Sequence, residues 1–525
     1  MATAISCGAV KALLDGTIPF ALIDVRESGE HNSTHIPDSS LIPRRQLEFQ
    51  MSAAVPVKDV QVVLYDDDGS RAKLAVATLE KMGYSKVSYL DGGINEWATE
   101  EFVTEWGSNV ISKDFGEHME VLHHVPEIDA KELHDRIERG DKLVILDSRT
   151  PEEYQRFCIP GGRCLPGGEL SLRITDITKD LDSDTTVIVN CAGRTRSIIG
   201  TRVLQRMGIN NLYGLKNGTA AWVLAGYELE VGGDRLELPE VSAEGLAAAE
   251  AYAAKLAEED GVRYLDIAGL QDLMGKAAEE TVYFVDVRGA DEYEQGHIPG
   301  FRWFPGGQVV QRSDEVLVVK NTPVVFACDG KVRATQTASW YRQFGFKDVF
   351  VVDGGVTAWV DAGHMPDLTA VQQIPYGVAE AEQLVNMLAP QELQSDAPPV
   401  VIFVETSQDF ARGHVPGSRW IPRGSLEFQI SNFVPTKDTA VAVICNNGQN
   451  AALTAVTLKE LGYQRVSALA GGMNAWRRAG LAVEQGLSGV MSAPSDMVPS
   501  GPDRNAADAI TYLRWETALG DKYAS

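Results

Sequence analysis

The heptapeptide DGGINEW (residues 91–97) recurs three more times in the chain with the same frame, Gly-x-x-x-Trp. The other copies are KNGTAAW (216–222), DGGVTAW (353–359) and AGGMNAW (470–476). Successive tryptophans are 125, 137 and 117 residues apart, which is the size of a domain and exceeds the about 20–50 residues of a solenoid repeat. The sequence therefore predicts one module used four times, with each tryptophan packed between the last helix of a module and its sheet.

The repeats divide the 525 residues into five segments. We assign repeats one to four and a final linker with a docking helix to 1–124, 125–240, 241–372, 373–487 and 488–525. Repeat three opens with a connector helix predicted over 244–261. The tail at 506–520 has amphipathic spacing, so we expect it to dock on another repeat or on a second subunit, the latter giving a homodimer.

Repeat two shows the alternation of strands and helices most clearly. Asp129 and Glu132 form a capping-box pattern that begins a helix. The apolar runs 142–147 and 185–190 are typical of strands buried on both faces, and helical spacing over 197–207 follows the second run. Strands that alternate with helices predict α/β domains with parallel sheets covered by helices on both faces.

Composition and charge narrow the classes of function. The chain has 47 Lys and Arg against 73 Asp and Glu, a formal net charge of −26, which argues against nucleic acid or an anionic membrane as a partner. No apolar run approaches the about 20 residues of a membrane span, and the N-terminus lacks a basic region followed by an apolar one. We therefore expect a cytoplasmic protein.

The six cysteines neither suggest a disulfide framework nor show paired C-x-x-C spacing for zinc. Three of them, Cys191, Cys328 and Cys445, stand at the same point of repeats two, three and four, directly after a predicted strand. Repeat one has Asp66 there. Because ligands bind beyond the carboxyl ends of strands in parallel sheets, these positions are candidate catalytic residues.

Each of these residues opens a glycine-containing loop that leads into a predicted helix. The loops are YDDDGSRA (65–72), NCAGRTRS (190–197), ACDGKVRA (327–334) and ICNNGQNA (444–451). Loop N–H groups and the helix N-terminus both stabilise a thiolate. Repeats two and three add cations that are candidate substrate-binding residues, namely Arg194, Arg196, Lys331 and Arg333. The pattern predicts a nucleophilic sulfur in an anion-binding loop.

A second signature lies upstream of each loop, and together the two resemble the rhodanese family of sulfurtransferases. This signature is an Asp-x-Arg strand end followed by a Gly-His-Ile-Pro-Gly turn. It is nearly complete in DVRGADEYEQGHIPG (286–300), and it reads DVRESGEHNSTHIPD in 24–38 and DSRTPEEYQRFCIPG in 147–161. The corresponding ETSQDFARGHVPG (405–417) lacks both the Asp and the Arg.

The resemblance implies four tandem rhodanese-like domains, each a parallel five-stranded sheet flanked by helices on both faces. It also implies sulfane sulfur transfer in two steps. The thiolate takes sulfur from a small donor such as thiosulfate, and a thiol, cyanide or a persulfide-exchanging protein then removes it. The family requires no metal and no organic cofactor. In its tandem members a silent domain packs on an active one, which suggests pairing of repeat one with repeat two.

The four copies do not fit the catalytic pattern equally well. Repeat one is predicted to be silent, because the carboxylate of Asp66 cannot accept sulfane sulfur. Cys191 is our first choice because its loop keeps two arginines. Cys328 follows, with Asp329 beside the thiol as a mark against it. Cys445 ranks third because its loop has no cation.

Two alternative functions are compatible with parts of this sequence. Phosphatases and arsenate reductases resemble this architecture, but their loops enclose five residues between Cys and Arg, whereas Cys191 to Arg196 and Cys328 to Arg333 enclose four. The shorter loop favours the binding of a single sulfur atom over that of a tetrahedral oxyanion. The other alternative is a persulfide relay or scaffold that receives sulfur from a partner protein and turns over small molecules slowly.

Overall fold

The computed structural model describes residues 2–370, 375–394, 398–499 and 501–524. The predicted boundary between repeats three and four, at 372 and 373, lies outside the described residues, as do Met1, Ser500 and Ser525. Each repeat forms its own parallel sheet with helices on both faces, so the predicted fold class is confirmed. None of the described helices has the length and apolar character needed to cross a membrane.

Repeat one contains five strands and five helices. They are β1 (Thr3–Ile5), α1 (Cys7–Leu14), β2 (Phe20–Asp24), α2 (Ser28–Ser33), β3 (Ser40–Leu41), α3 (Leu47–Ala54), β4 (Gln61–Tyr65), α4 (Ser70–Lys81), β5 (Val87–Leu90) and α5 (Gly93–Thr99). A linking helix, α6 (Val110–His123), follows.

Repeat two has the same succession of elements. They are β6 (Glu127–Ile128), α7 (Ala130–Arg139), β7 (Leu143–Asp147), α8 (Pro151–Arg156), β8 (Arg163–Cys164), α9 (Leu170–Thr178), β9 (Thr186–Asn190), α10 (Thr195–Arg206), β10 (Leu212–Leu215) and α11 (Gly218–Leu224). The connector helix α12 (Ala243–Asp260) comes next, close to its predicted bounds.

Repeat three adds a short helix and a short strand to the pattern. Its elements are β11 (Arg263–Leu265), α13 (Ile267–Lys276), β12 (Tyr283–Asp286), α14 (Ala290–Gln295), β13 (Arg302–Trp303), α15 (Gly306–Gln311), α16 (Ser313–Val316), β14 (Val319–Lys320), β15 (Val324–Ala327), α17 (Val332–Gln343), β16 (Val349–Val352) and α18 (Gly355–Asp361).

Repeat four begins with a helix and is followed by the C-terminal segment. The elements are α19 (Val378–Leu384), β17 (Asn386–Leu388), β18 (Val400–Phe403), α20 (Ser407–Arg412), β19 (Arg419–Trp420), α21 (Arg423–Phe433), β20 (Val441–Ile444), α22 (Gln449–Glu460), β21 (Val466–Leu469), α23 (Gly472–Arg478) and, in the tail, α24 (Ala506–Ala518). Short 3-10 turns connect several of these elements.

The strand that carries the loop residue lies at the centre of every sheet. The second sheet has the order β6-β10-β9-β7-β8, and the third and fourth sheets repeat it. The first sheet has the equivalent order and gains β14 as an antiparallel neighbour of β2. In β9, Val187 and Val189 face one apolar cluster and Ile188 faces another, which is why the predicted run is apolar throughout.

The four tryptophans of the recurring motif are buried, as predicted. Trp97, Trp222, Trp359 and Trp476 expose 6% of their surface or less. Each indole N–H also donates to the carbonyl six residues further on, at 2.8 Å from Trp222 to Glu228. The tryptophan therefore closes the loop that follows the last helix of each repeat as well as filling the core.

Repeats one and four form one compact unit, and repeats two and three with α24 form another. The expected pairing of repeat one with repeat two is therefore wrong. The reason lies in the segments PRRQLEFQ and PRGSLEFQ, which only the outer repeats share. Arg44 bonds Glu427 at 2.9 Å and Arg423 bonds Glu48 at 2.7 Å, in a buried reciprocal network.

The inner repeats meet through glycines instead. A Cβ added at Gly168 would lie 3.2 Å from the backbone nitrogen of Gly307, so the two backbones approach closely. These glycines belong to PGGEL and PGGQV, the segments that only repeats two and three share. In each unit, the two repeats that share a segment are thus the two that pack together through it.

Candidate active site

In repeat four, the loop after β20 wraps around the sulfur of Cys445. The backbone N–H groups of Gly448 and Ala451 donate to Sγ at 3.0 and 3.3 Å. Gly448 has φ +95°, a left-handed conformation that glycine adopts at little cost and that turns its N–H inward. The predicted convergence of N–H groups on the loop centre is present here.

The Cys445 thiol is fully buried, and this sets its acidity. Burial raises its pKa to about 12, and the nearby carboxylate of Glu405 adds to the rise, against the lowering effect of the loop N–H groups. Glu405 accepts a hydrogen bond from Nδ2 of Asn450 at 2.9 Å. Asn450 stands where the other repeats have the loop arginine, so here an amide replaces the cation.

In repeat one the same loop holds a carboxylate. Oδ1 of Asp66 accepts from the N–H of Gly69 at 2.6 Å, and Oδ2 accepts from the N–H of Arg71 at 2.7 Å. Gly69 is left-handed, like Gly448. Burial raises the pKa of Asp66 to about 6. In the repeat that lacks the loop cysteine, the backbone of the loop therefore binds the carboxylate of Asp66.

In repeat two, Cys191 follows β9 and lies beneath the first turn of α10. Its Sγ is 3.5 Å from the hydroxyl of Ser197, and the residue is 2% exposed. Arg196 interacts electrostatically with this sulfur, while its guanidinium forms a double hydrogen bond with Glu153 at 2.6 and 2.8 Å. A cation therefore lies near Cys191, already engaged by a carboxylate.

The other predicted cation of repeat two is held away from solvent. Arg194 donates to both oxygens of Glu117 on α6, at 2.6 and 2.9 Å, and to Oδ1 of Asn217 at 3.3 Å. Both Arg194 and Glu117 are buried. Its most direct role in the structure is to tie the loop to α6.

In repeat three, Cys328 is fully buried, and burial raises its pKa to about 12, with Asp329 as the next contribution. Arg333 bonds Glu292, Asp329 and Glu169 of repeat two, at 2.6 to 2.9 Å. Lys331 reaches Asp353 at 3.2 Å. The lower rank predicted for Cys328 thus has a physical basis, because Asp329 raises the pKa of its thiol.

The four predicted substrate-binding cations therefore share one property, which is that each pairs with a carboxylate. These carboxylate partners were not predicted from the sequence. Glu153 and Glu292 occupy the third position of α8 and α14, like Glu30 in α2, where it binds Arg71 at 2.9 Å. This shared helix position is the sequence feature from which the arginine–carboxylate pairs could have been predicted. Glu117 lies in a linker and carries no motif that could have revealed its role.

The glycine of the Gly-x-x-x-Trp motif lies directly against the loop that begins at the cysteine. A Cβ at Gly218 would lie 2.2 Å from the carbonyl oxygen of Cys191, and one at Gly472 would lie 2.2 Å from that of Cys445. The next N–H, from Met473, donates to the Cys445 carbonyl at 2.9 Å. The motif therefore positions the loop, because only glycine allows the last helix to approach so closely.

The Asp-x-Arg signature is structural. Arg149 forms a buried pair with Asp147 at 2.7 Å and donates to the carbonyl of Phe157 in the following turn. Arg288 and Asp286 repeat this arrangement. These pairs fix the turn that precedes the edge strand, and in repeat one the equivalent Arg26 also donates to Asp67 of the loop at 3.0 Å.

The C-terminal helix α24 covers the Cys191 loop. The hydroxyl of Thr195 donates to Glu516 at 2.8 Å, and a Cβ at Gly193 would lie 3.5 Å from the other oxygen of Glu516. Lys113 of α6 lies over the rings of Tyr512 and Trp515, at 5.0 and 5.2 Å. Tyr512 and Glu516 therefore lie over the loop of repeat two, next to Gly193.

Among the described residues, no group of three or more His, Cys, Asp or Glu side chains is arranged to hold a metal ion. The chemistry available at the loops consists of thiols, backbone N–H groups and paired cations. That set can hold an anionic sulfur species by hydrogen bonding.

A family model for the rhodanese-like domain matches residues 6–100, 129–225, 268–362 and 381–479. A crystal structure of a thiosulfate sulfurtransferase from Pseudomonas aeruginosa is 34% identical, with 99% of this chain and 98% of that chain covered and a TM-score of 0.89. A sulfurtransferase of Allochromatium vinosum is 30% identical over 19% of this chain and 92% of that protein. The chain spans only 22% of a probable adenylyltransferase/sulfurtransferase MoeZ from Mycobacterium tuberculosis, at 38% identity over 16% of this chain.

Proposed function

The chain belongs to the rhodanese-like family, and from that premise we propose that it is a sulfurtransferase working through persulfides on Cys191, Cys328 and Cys445. The thiolate attacks the outer sulfur of thiosulfate or a related donor. The S–S bond of the donor breaks, sulfite leaves with the bonding electrons, and a cysteine persulfide forms. A thiolate or cyanide acceptor then attacks the terminal sulfur and releases the cysteine thiolate.

The observation that supports this proposal most is the equivalence of Cys445 and Asp66. The loop N–H groups that surround Sγ in repeat four bind a carboxylate in repeat one. The oxygens of Asp66 lie two bonds beyond Cβ, which is also where the terminal sulfur of a cysteine persulfide lies. A loop that holds an anion at this distance is suited to a persulfide.

Cys191 is the main site in this proposal. Its sulfur lies close to the guanidinium of Arg196, and this cation attracts an anionic donor. Cys328 and Cys445 are raised to pKa values of about 12 by burial, so only a small fraction of each thiol is ionised at neutral pH. We expect both to load more slowly than Cys191.

A persulfide relay is the second candidate, and the paired cations favour it. Arg194, Arg196, Lys331 and Arg333 all have carboxylate partners, so a thiosulfate dianion must compete with Glu117, Glu153, Asp353 or Glu292. A protein persulfide needs no such exchange, because it delivers sulfur through an uncharged or singly charged group.

Intact mass spectrometry after incubation with thiosulfate tests the proposal. We expect the mass of one added sulfur atom at Cys191, loss of that addition in Cys191→Ser, and no change in the control Cys7→Ser, whose thiol lies in the core of repeat one. Rapid loading only from a persulfidated protein would favour the relay. Full loading in a protein with all three loop cysteines replaced by serine would contradict both.

A further inference from the structure

Arg333 of the Cys328 loop has every terminal N–H bond of its guanidinium occupied. Its Nη1 donates to Glu169 and to Glu292, each at 2.7 Å. Its Nη2 donates to Glu292 and to Asp329, at 2.6 and 2.9 Å. Because these two nitrogens carry four N–H bonds in all, the three carboxylates leave none of them for a sulfur donor. An anionic donor that binds Arg333 must displace a carboxylate.

Arg196 of the Cys191 loop is less fully occupied, although it stands five residues after its cysteine, as Arg333 does. Its Nη1 and Nη2 each donate once, and both bonds go to Glu153. Within the described part of the chain, Arg196 has no second carboxylate within 4.0 Å. Two of its terminal N–H bonds are therefore not engaged by a carboxylate.

One of the three carboxylates on Arg333 comes from the other repeat of the unit. Glu169 belongs to the segment PGGEL of repeat two, and repeats two and three lie in the same compact unit. The contact is buried, since Glu169 is 6% and Arg333 1% exposed. Oε1 of Glu169 accepts from Arg333, and Oε2 accepts from Arg173 at 2.8 Å. Repeat two therefore contributes a charged residue to the Cys328 loop.

The corresponding position of repeat three is uncharged. Gln308 in PGGQV is the equivalent of Glu169 in PGGEL. The helix that carries Gln308, α15, packs against α10, just as the turn that carries Glu169 packs against α17. The two repeats thus approach each other in a similar way in both directions, but only repeat two supplies a carboxylate at this position.

The network around Arg333 carries one excess negative charge. Its members are two guanidiniums and three carboxylates, those of Arg333, Arg173, Glu169, Glu292 and Asp329. Salt screens the buried charges of this network little, and the repulsion of a donor grows with the donor's own negative charge. At Cys191, by contrast, the charges of Arg196 and Glu153 balance.

We propose that Glu169 determines the donor specificity of the Cys328 site, by disfavouring dianions such as thiosulfate relative to singly charged sulfane donors. Glu169 acts through Arg333 and is a positioning residue. It occupies one N–H bond of the guanidinium and supplies the excess charge. The two inner repeats then accept sulfur from donors of different charge, with thiosulfate preferred at Cys191.

This inference rests on the proposed sulfurtransferase function and adds a donor class to it. Two donors that differ by one charge follow the same chemistry. The Cys328 thiolate attacks the outer sulfur of thiosulfate, a dianion, and sulfite leaves with the electrons of the broken S–S bond. It attacks the outer sulfur of methanethiosulfonate, a monoanion, in the same way, and methanesulfinate leaves. Both reactions yield the same cysteine persulfide.

The ratio of the loading rates with these two donors tests the proposal. Intact mass against time measures both rates in the full chain with Cys191 and Cys445 changed to serine, so that Cys328 is the remaining loop cysteine. We expect Glu169→Gln to raise the ratio of the thiosulfate rate to the methanethiosulfonate rate about three- to tenfold, because it removes the excess charge. A change in thiol acidity or in the folded fraction alters both rates alike and leaves the ratio unchanged.

The matched control is Asp272→Asn in the same background, which removes an exposed charge of repeat three and should leave the ratio unchanged. An unchanged or lower ratio in Glu169→Gln, or an equal rise in Asp272→Asn, would overturn the inference and leave the sulfurtransferase proposal in place, since Cys328 still loads. No loading of Cys328 by either donor would contradict the proposed function of this site, and the inference would fall with it.

Discussion

Glu516 accepts a hydrogen bond of 2.8 Å from the hydroxyl of Thr195, the first residue of the helix that follows the Cys191 loop. The same carboxylate lies against Gly193 inside the loop. Because Glu516 belongs to α24, the end of the chain is fixed over the site of repeat two. This contact joins two residues that are more than 300 positions apart in the sequence.

We predict that Glu516→Ala exposes Cys191. Loss of the bond to Thr195 loosens α24, so iodoacetamide should alkylate Cys191 about three- to tenfold faster, a change of about 1 kcal/mol in the cost of opening. Peptide mass mapping against time measures this rate. The control Arg514→Ala removes an exposed residue of the same helix and should leave the rate unchanged. Equal rates in all three proteins would show that α24 does not limit access.

The glycine of the recurring motif gives a second prediction. In Gly472→Ala the new Cβ would lie 2.2 Å from the carbonyl of Cys445 at a φ of +55°, so both strain and a clash oppose the loop. We expect a loss of stability of about 2–4 kcal/mol in denaturant unfolding and a large loss of sulfur loading at Cys445.

Gly480→Ala is the matched control for that change. Gly480 has φ +67° and open space around it, so it carries the backbone strain without the clash. We expect a cost of about 1 kcal/mol and unchanged loading. If the two variants lose equal stability and Gly472→Ala still loads normally, the contact between the last helix and the loop has no positioning role.

Much of this arrangement could be predicted from the sequence, because local signals and the global fold agree. The N-cap at Asp129 and the buried runs of β7 and β9 appear where the patterns place them, although the Glu132 side chain binds Arg136. Helix α10 begins at Thr195, two residues before its predicted start. The loop position of the cysteines followed from strand order alone.

Contacts between distant segments could not be predicted in this way. The pairing of the outer repeats depends on the ion pairs Arg44–Glu427 and Arg423–Glu48. The segments that carry these residues are similar in sequence, but the similarity does not show that they contact each other. The capture of Arg194 by Glu117 likewise depends on where a linker helix packs. Side-chain partners across such distances are set by tertiary packing, which periodicity does not encode.

The acidity of Cys445 gives a third prediction, which concerns pH. Because burial raises the thiol pKa to about 12, the thiolate fraction should rise about tenfold per pH unit from pH 7 to 10, and the rate of persulfide formation with it. The rate of persulfide formation, measured at a series of pH values in a variant with Cys191 and Cys328 changed to serine, gives this slope. A plateau below pH 9 would contradict the raised pKa.

Glu405→Gln tests the electrostatic part of that effect. The carboxylate of Glu405 raises the pKa of Cys445, so its neutralisation lowers the pKa and should increase the rate at pH 8 by about two- to tenfold. Glutamine can still accept the hydrogen bond from Asn450. The control Glu382→Gln removes an exposed charge of the same repeat and should have no effect.

The pair between Arg196 and Glu153 gives the last prediction, which decides whether thiosulfate must displace a carboxylate. Arg196 holds the pKa of Glu153 at about 2, so the pair is fully ionised at neutral pH. In Glu153→Gln the guanidinium keeps a neutral partner and gains affinity for an anionic donor. We expect the KM for thiosulfate at Cys191 to fall about three- to tenfold with kcat little changed. The exposed neighbour Glu152→Gln is the control. If Glu153→Gln leaves the KM unchanged or raises it, Arg196 only stabilises the structure and does not bind the donor. If Glu152→Gln lowers the KM by the same factor, the effect comes from the change in net charge.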